Sequence, residues 1–340
     1  VNLYPLFRWL LFRLNPEAAH QVTLNAIRTA GNIGLINSIL NNIYTAPNHP
    51  VRAFGLDFRN PIGLAAGYDK DGLAWKGLAC LGFGHIEIGT VTPKPQPGNP
   101  KPRLFRLTGE KALINRLGFP GKGADFVLRQ ISQARPKSLV LGVNIGKNKD
   151  TPIEDAVEDY LYLLRLFDSQ ADYLTINVSS PNTVGLRQLQ ERQALGLLLR
   201  QLNDERKTIS TATQHRIPIL VKLSPDLSDA QLVEALEVII ANEMDGVIAT
   251  NTTITREGVS AYYAQEEGGL SGRPLFSRSL SMVEKIHKST QGSITVVGVG
   301  GIYDDASARK LMDAGATLVQ LYTSLVYEGP SVVKNILQRL

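Results

Sequence analysis

Apolar positions along this chain change their spacing near residue 50. Before it, Leu3, Leu6, Phe7, Leu10, Leu11 and Leu14 recur at intervals of three and four, which predicts a helix with one broad apolar stripe. Pro16 suits the first turn of a second helix, PEAAHQVTLNAIRTAG, which Gly31 is placed to end. The polar, turn-rich segment YTAPNHP follows. The pattern therefore predicts a small two-helix extension over 1–43 and a separate domain over 44–340.

In that domain, short β-prone runs alternate with helical ones. Strands are predicted at IGLAAG (62–67), HIEIGT (85–90), SLVLGVNIG (138–146) and DYLTINVS (172–179). Four more are predicted at PILVKLS (218–224), DGVIATNT (245–252), SITVVGVGG (293–301) and LVQLYTS (318–324). Two of the intervening helices carry start signals. Thr151-Pro152-Ile153-Glu154 reads as a capping box with proline at the first helical position, and Ser228 with Gln231 reads as another. Eight βα units in unbroken succession predict an α/β fold, a (β/α)8 TIM barrel rather than a doubly wound sheet.

Polar and glycine residues recur where these strands end: Gly67-Tyr68-Asp69-Lys70, Thr90, Asn144, Asn177, Lys222, Thr250-Asn251, Gly300-Gly301 and Tyr322-Thr323. One or two could be helix caps. Their repetition around a ring predicts a site at the C-terminal mouth. Long connections between Thr90 and Ser138, and between Thr252 and Ser293, are placed to overhang that mouth.

Composition changes this picture little. Hydrophobic residues at 43% and charged residues at 20% fit a globular protein, and the net charge of +5 is spread without a basic block. No nucleic-acid partner is expected. The one cysteine, Cys80, precludes an internal disulfide and fits a reducing compartment. The five histidines show no ligand spacing, so metal catalysis is not expected. The N-terminal apolar stretch, broken by Arg8 and Arg13, is too short and charged to span a bilayer and lacks a signal-peptide cleavage pattern.

The glycines and hydroxyls of VVGVGGI and QLYTS, at strands seven and eight, predict a phosphate site. Lys222 ends an apolar strand, where a buried ammonium needs an anionic partner. It could form a Schiff base or stabilise negative charge on a bound ring. Asn115, Asn177, Asn182 and Asn251 offer paired donors and acceptors suited to a flat heterocycle. Ser180 is a candidate proton acceptor or nucleophile, and no G-x-S-x-G elbow surrounds it.

The motifs GLAAGYDKDG, EIGTVTPKPQPGNPKPRLFRL, INRLGF, LGVNIGKNK, INVSSPNT, VKLSPD, ATNTT, GGLSGRPL, VGVGGI and QLYTSLVYEGP resemble the dihydroorotate dehydrogenase family. The resemblance spans nearly the whole chain in order. PEAAH in the helical extension is similar to the membrane-associated, quinone-dependent class 2, as is serine at position 180, where the soluble class uses cysteine. The resemblance implies oxidation of (S)-dihydroorotate to orotate in pyrimidine (UMP) biosynthesis, with FMN as hydride acceptor and a membrane quinone as final acceptor. It implies that Ala66, Gly67, Tyr68, Asp69, Lys70, Thr90, Asn144, Asn177, Lys222, Thr250, Gly272, Gly301, Tyr322 and Thr323 hold FMN. Tyr68 stands where relatives often carry Leu or Phe; the ring keeps the bulk, so little consequence is expected. Lys70, the segment Asn115, Arg116, Leu117, Gly118 and Phe119, and Asn177, Asn182, Asn251 and Thr252 are implied to hold substrate. Ser180 would remove the C5 proton as the C6 hydride passes to the flavin, Lys222 would stabilise the anionic reduced ring, and Lys70 would pair with the substrate carboxylate. His20, Arg106 and Tyr322 match the quinone end of an apolar tunnel, and the extension becomes an interfacial anchor. A monomer, peripheral on the cytoplasmic side of a bacterial cell membrane, is expected.

Other readings make different demands. A phosphosugar aldolase or isomerase would use Lys222 as a Schiff-base amine and be colourless. A flavin barrel acting on tRNA uridines would want a strong basic patch and an RNA-binding extension. A non-enzymatic membrane-binding module leaves the strand-end polar set without a purpose.

Overall fold

The computed structural model describes residues 4–133, 135–136 and 138–340; Leu3 of the apolar stripe lies outside them. The strands are, in chain order, Val51–Ala53 (β1), Leu56–Phe58 (β2), Ile62–Leu64 (β3), His85–Val91 (β4), Leu104–Leu107 (β5), Ala112–Asn115 (β6) and Val140–Ile145 (β7). Tyr173–Asn177 (β8), Ile219–Leu223 (β9), Gly246–Ala249 (β10), Gly269–Gly272 (β11), Thr295–Val299 (β12) and Leu318–Leu321 (β13) follow. All eight predicted strands are present, and they close into one parallel ring in the order β3-β4-β7-β8-β9-β10-β12-β13. Their residues are buried almost throughout, as expected for strands covered on both faces. The β1–β2 hairpin packs Ala53 and Phe58 against Val140, Tyr173 and Leu318, the first residues of three barrel strands, and so plugs the ring opposite the mouth.

The helices are Tyr4–Leu11 (α1), Pro16–Asn32 (α2), Gly34–Tyr44 (α3), Trp75–Ala79 (α4), Ala124–Ile131 (α5) and Ala156–Phe167 (α6). Arg192–Thr213 (α7), Asp229–Ala241 (α8), Phe276–Thr290 (α9), Asp305–Asp313 (α10), Thr323–Glu328 (α11) and Val332–Leu337 (α12) complete them. The capping box at Ser228 is present: its Oγ accepts from the Gln231 amide at 3.3 Å, and the Gln231 side chain accepts from the Ser228 amide at 3.0 Å. The one read at Thr151 is not. There α6 starts only at Ala156, because Asp159 draws the Thr151 hydroxyl (2.7 Å) and the Asn148 amide (2.8 Å) into a loop instead.

The extension has three helices rather than two. Gly31 does not end α2, which runs to Asn32; it lies buried where α2 crosses α4, and an added Cβ would collide with the Gly77 backbone. After Ile33 the segment GLINSILNNIY forms α3. Neither α1 nor α3 buries a single residue. Leu6, Phe7, Trp9 and Leu10 on α1, and Leu35, Ile39 and Ile43 on α3, are exposed, so the apolar stripes face outward. Among the described residues no helix is long and apolar enough to cross a membrane.

The two long connections are not structureless. Strands β5 and β6 from the first and β11 from the second form an antiparallel sheet, in which Gly269 pairs with Asn115. This sheet brings both insertions to one side of the mouth.

Candidate active site

The mouth holds a cavity whose space, open side included, amounts to about 970 Å³. Of the residues singled out in the sequence, Ala66, Gly67, Lys70, Thr90, Asn177, Lys222, Thr250, Gly272, Gly301, Tyr322 and Thr323 line it. So do Asn115, Leu117, Gly118, Phe119, Ser180, Asn182, Asn251 and Thr252. Four do not. The Asp69 carboxylate turns inward to accept from the Leu73 and Ala74 amides at 2.8 and 2.7 Å. Arg116 is drawn outward by Glu266 and the Glu267 carbonyl, over the face of Phe105. Tyr68 points into a second cavity, and Asn144 lies fully buried beneath the first.

Beneath the cavity sits a residue that the sequence reading passed over, Glu87. It is fully buried at the centre of the ring and accepts four hydrogen bonds: from Asn144 Nδ2 at 2.9 Å, Tyr173 Oη at 3.1 Å, Thr175 Oγ1 at 3.1 Å and Gln320 Nε2 at 3.0 Å. An ionised carboxylate accepts only. It therefore fixes which way the Asn144 amide points, and the choice propagates. Asn144 Oδ1 must face outward, where it accepts from Thr90 Oγ1 at 2.5 Å and Asn177 Nδ2 at 3.1 Å. Asn177 Oδ1 is then free to accept from Ser179 Oγ at 3.1 Å and Asn251 Nδ2 at 3.3 Å. A chain of three amides thus runs from the barrel centre to the cavity wall with one polarity. A second pair, Asn182 Nδ2 donating to Asn115 Oδ1 at 3.2 Å, bridges from the Ser180 loop to the lid sheet.

The cavity's charges are two ammonium groups; no Asp or Glu lines it. Lys222 is 5% exposed and finds no hydrogen-bond partner among the described residues. Burial pulls its pKa below that of a free lysine, while the Glu87 carboxylate opposes the shift. Lys70 donates to the Gly67 carbonyl at 2.7 Å, and burial lowers its pKa to about 8, against the raising effect of Asp71. Ser180 is buried, its Oγ accepting from the Asn182 amide at 3.3 Å. Gly300 (φ 122°) and Gly301 (φ 74°) turn the end of β12 along the cavity in a conformation that side chains resist, leaving bare backbone on the wall. Ser271 and Thr323, also on the wall, join hydroxyls at 2.8 Å.

A second, largely apolar cavity of about 1210 Å³ opens between α1, α2 and the barrel. His20, Arg106 and Tyr322 line it, and Tyr322 also lines the first, so this ring is a shared partition. His20 is held neutral at physiological pH, its pKa lowered to about 4 by burial and by Lys70. Arg106 stacks on Phe12 with its guanidinium carbon 4.2 Å from the ring centre and donates to the Leu14 carbonyl at 3.2 Å.

Sequence comparison gives this arrangement relatives. A family model described as dihydroorotate dehydrogenase matches residues 50–340. The dihydroorotate dehydrogenase (quinone) of Paraburkholderia phymatum is 47% identical over 340 residues, covering 100% of this chain and 98% of its own. That of Burkholderia cenocepacia is 48% identical over 335 residues, covering 98% and 96%. Among solved structures, ligand-free DHODH from Eimeria tenella superposes with a TM-score of 0.86 at 38% identity, covering 95% of this chain and 93% of its own. DHODH from the same organism in complex with ferulenol gives 0.82 at 36% identity, covering 95% and 90%.

Proposed function

The chain belongs to the dihydroorotate dehydrogenase family, and we propose that its mouth cavity holds FMN beside dihydroorotate while the apolar cavity admits the quinone. It is an oxidoreductase that converts dihydroorotate to orotate with a quinone as electron acceptor, and this step serves pyrimidine synthesis. The observation that carries the site assignment is the buried, unpartnered Lys222 ammonium in the same cavity as Ser180 and the asparagine chain. An anionic or electron-rich ring fits that vacancy in hydrogen bonding, and the bare glycine backbone at 300–301 with the Thr323 hydroxyl suits a phosphate.

Lys222, Thr90, Asn177, Thr250, Gly272, Gly301 and Thr323 would hold FMN, with Asn144 bracing Thr90 and Asn177 from below. When bound, FMN supplies a two-electron acceptor for the C5–C6 oxidation and a donor for quinone. Ser180 Oγ takes the C5 proton; its burial keeps water from competing, and the Asn182 amide holds the hydroxyl in place. Lys70 pairs with the substrate carboxylate, and Asn115, Asn182 and Asn251 meet the pyrimidine edge. Arg116 serves at one remove, fastening the lid through Glu266. With the cofactor bound, Lys222 would stabilise negative charge on its ring.

The outward apolar stripes of α1 and α3 support peripheral attachment to the membrane, beside the helices that line the second cavity; the same proposal takes the protein as a monomer on the cytoplasmic side. Acid release of the cofactor tests the assignment: the purified protein should be yellow and release FMN. A colourless protein, or one releasing FAD, would overturn it.

A further inference from the structure

The apolar cavity holds several polar side chains, and most have protein partners. Tyr4 Oη donates to the Val326 carbonyl at 2.6 Å, Thr23 Oγ1 to the Ala19 carbonyl at 2.8 Å, and Tyr322 Oη to the Gly67 carbonyl at 3.4 Å. Tyr68 differs. Its side chain is only 4% exposed, it lines the cavity, and its hydroxyl has no hydrogen-bond partner among the described residues. Two edge-to-face contacts hold the ring, with His20 at 5.0 Å and with Tyr322 at 5.8 Å between centroids. Since Tyr322 is the partition, Tyr68 stands at the inner end of the tunnel, against the mouth cavity.

A hydroxyl turned into a largely apolar cavity with no protein partner is left for a ligand to complete. We propose that Tyr68 Oη donates a hydrogen bond to a ring carbonyl of the quinone and holds the headgroup against the Tyr322 partition. This rests on the assignment of the apolar cavity to the quinone. The chemistry matches the oxidised and the reduced acceptor alike. A quinone carbonyl only accepts, and the phenol donates to it; a quinol hydroxyl donates, and the phenol oxygen accepts. A guanidinium or an ammonium could do only the first. His20 stays neutral beside it. The phenol is therefore a recognition group, and treating the ring as mere bulk misses its function.

Tyr68→Phe removes the hydroxyl and keeps the ring, and a tunnel-filling Ala26→Trp variant provides the reference. Both are assayed as holoenzymes, with decylubiquinone as the acceptor and with flavin bleaching by dihydroorotate followed separately. Tyr68→Phe should raise the KM for decylubiquinone about threefold to tenfold, the loss of one hydrogen bond. Its flavin content and bleaching rate should match the unsubstituted protein. Ala26→Trp should lower quinone reduction and spare bleaching. If Ala26→Trp obstructs the quinone while Tyr68→Phe leaves its KM within twofold, the role of Tyr68 is overturned and the tunnel stands. If Ala26→Trp leaves quinone reduction unchanged, the tunnel assignment falls, and this inference with it. Loss of flavin or slowed bleaching in Tyr68→Phe would place the residue at the mouth cavity and overturn the inference as well.

Discussion

The Glu87 carboxylate and the Asn144 amide meet 2.9 Å apart at the barrel centre, where no water reaches either of them. Their contact decides the direction of every amide between that point and the cavity wall. Replacing Glu87 by Leu would leave donors from Asn144, Tyr173, Thr175 and Gln320 without an acceptor. The expected loss is at least about 3 kcal/mol of stability, read as a lower unfolding midpoint in denaturant. Glu87→Gln should recover most of that stability, yet lower kcat/KM for dihydroorotate about tenfold or more, because an amide no longer imposes one polarity on the chain. Full activity in Glu87→Gln would show that the carboxylate only fills space.

Ser180→Ala removes the proposed proton acceptor. Flavin content should be unchanged, and the rate of flavin bleaching by dihydroorotate should fall by about a hundredfold or more. A near-normal rate in stopped-flow measurements would remove Ser180 from the proton transfer.

Lys70 gives a pH dependence with a definite sign. Its pKa is lowered to about 8, so the cation proposed to pair with the substrate carboxylate is present below that pH and lost above it. The profile of kcat/KM for dihydroorotate, which reports the enzyme before substrate binds, should therefore fall on the alkaline side near pH 8. In Lys70→Arg that limb should move beyond the accessible range. A profile flat to pH 9.5 in the unsubstituted enzyme would contradict the assignment.

Where α2 crosses α4, Gly77 faces the Ile27 backbone so closely that an added Cβ would collide with its carbonyl oxygen. Gly77→Ala should prise α2 off the barrel and distort the tunnel while leaving the mouth intact. The expected outcome is a several-fold loss in decylubiquinone reduction with unchanged bleaching by dihydroorotate. Equal loss of both half-reactions would mean that the extension also supports the mouth.

The barrel was legible in the sequence because each strand is a short β-prone run, and the polar residues at strand ends marked the mouth. What escaped the reading lay off that pattern. Glu87 sits in the middle of HIEIGTV, where one acid among apolar residues carries no signal until the ring closes around it. The motif around Arg116 points it to substrate, but the partner that turns its side chain away, Glu266, is 150 residues distant. The third helix of the extension escaped because Gly34 and three asparagines dilute its short apolar pattern. Tyr68 and Asp69 are neighbours in a motif that points both to the cofactor, yet the backbone sends one to the second cavity and the other into its own turn. The lid sheet depends on pairing between segments more than a hundred residues apart, which no local pattern announces.

The most direct test of the two-cavity account follows one sample through both half-reactions. Anaerobic addition of dihydroorotate to the purified protein should bleach the flavin bands, and decylubiquinone added next should restore them. Bands that persist after dihydroorotate, or that stay bleached after the quinone, would contradict the claim that one ring bound at this mouth serves both cavities.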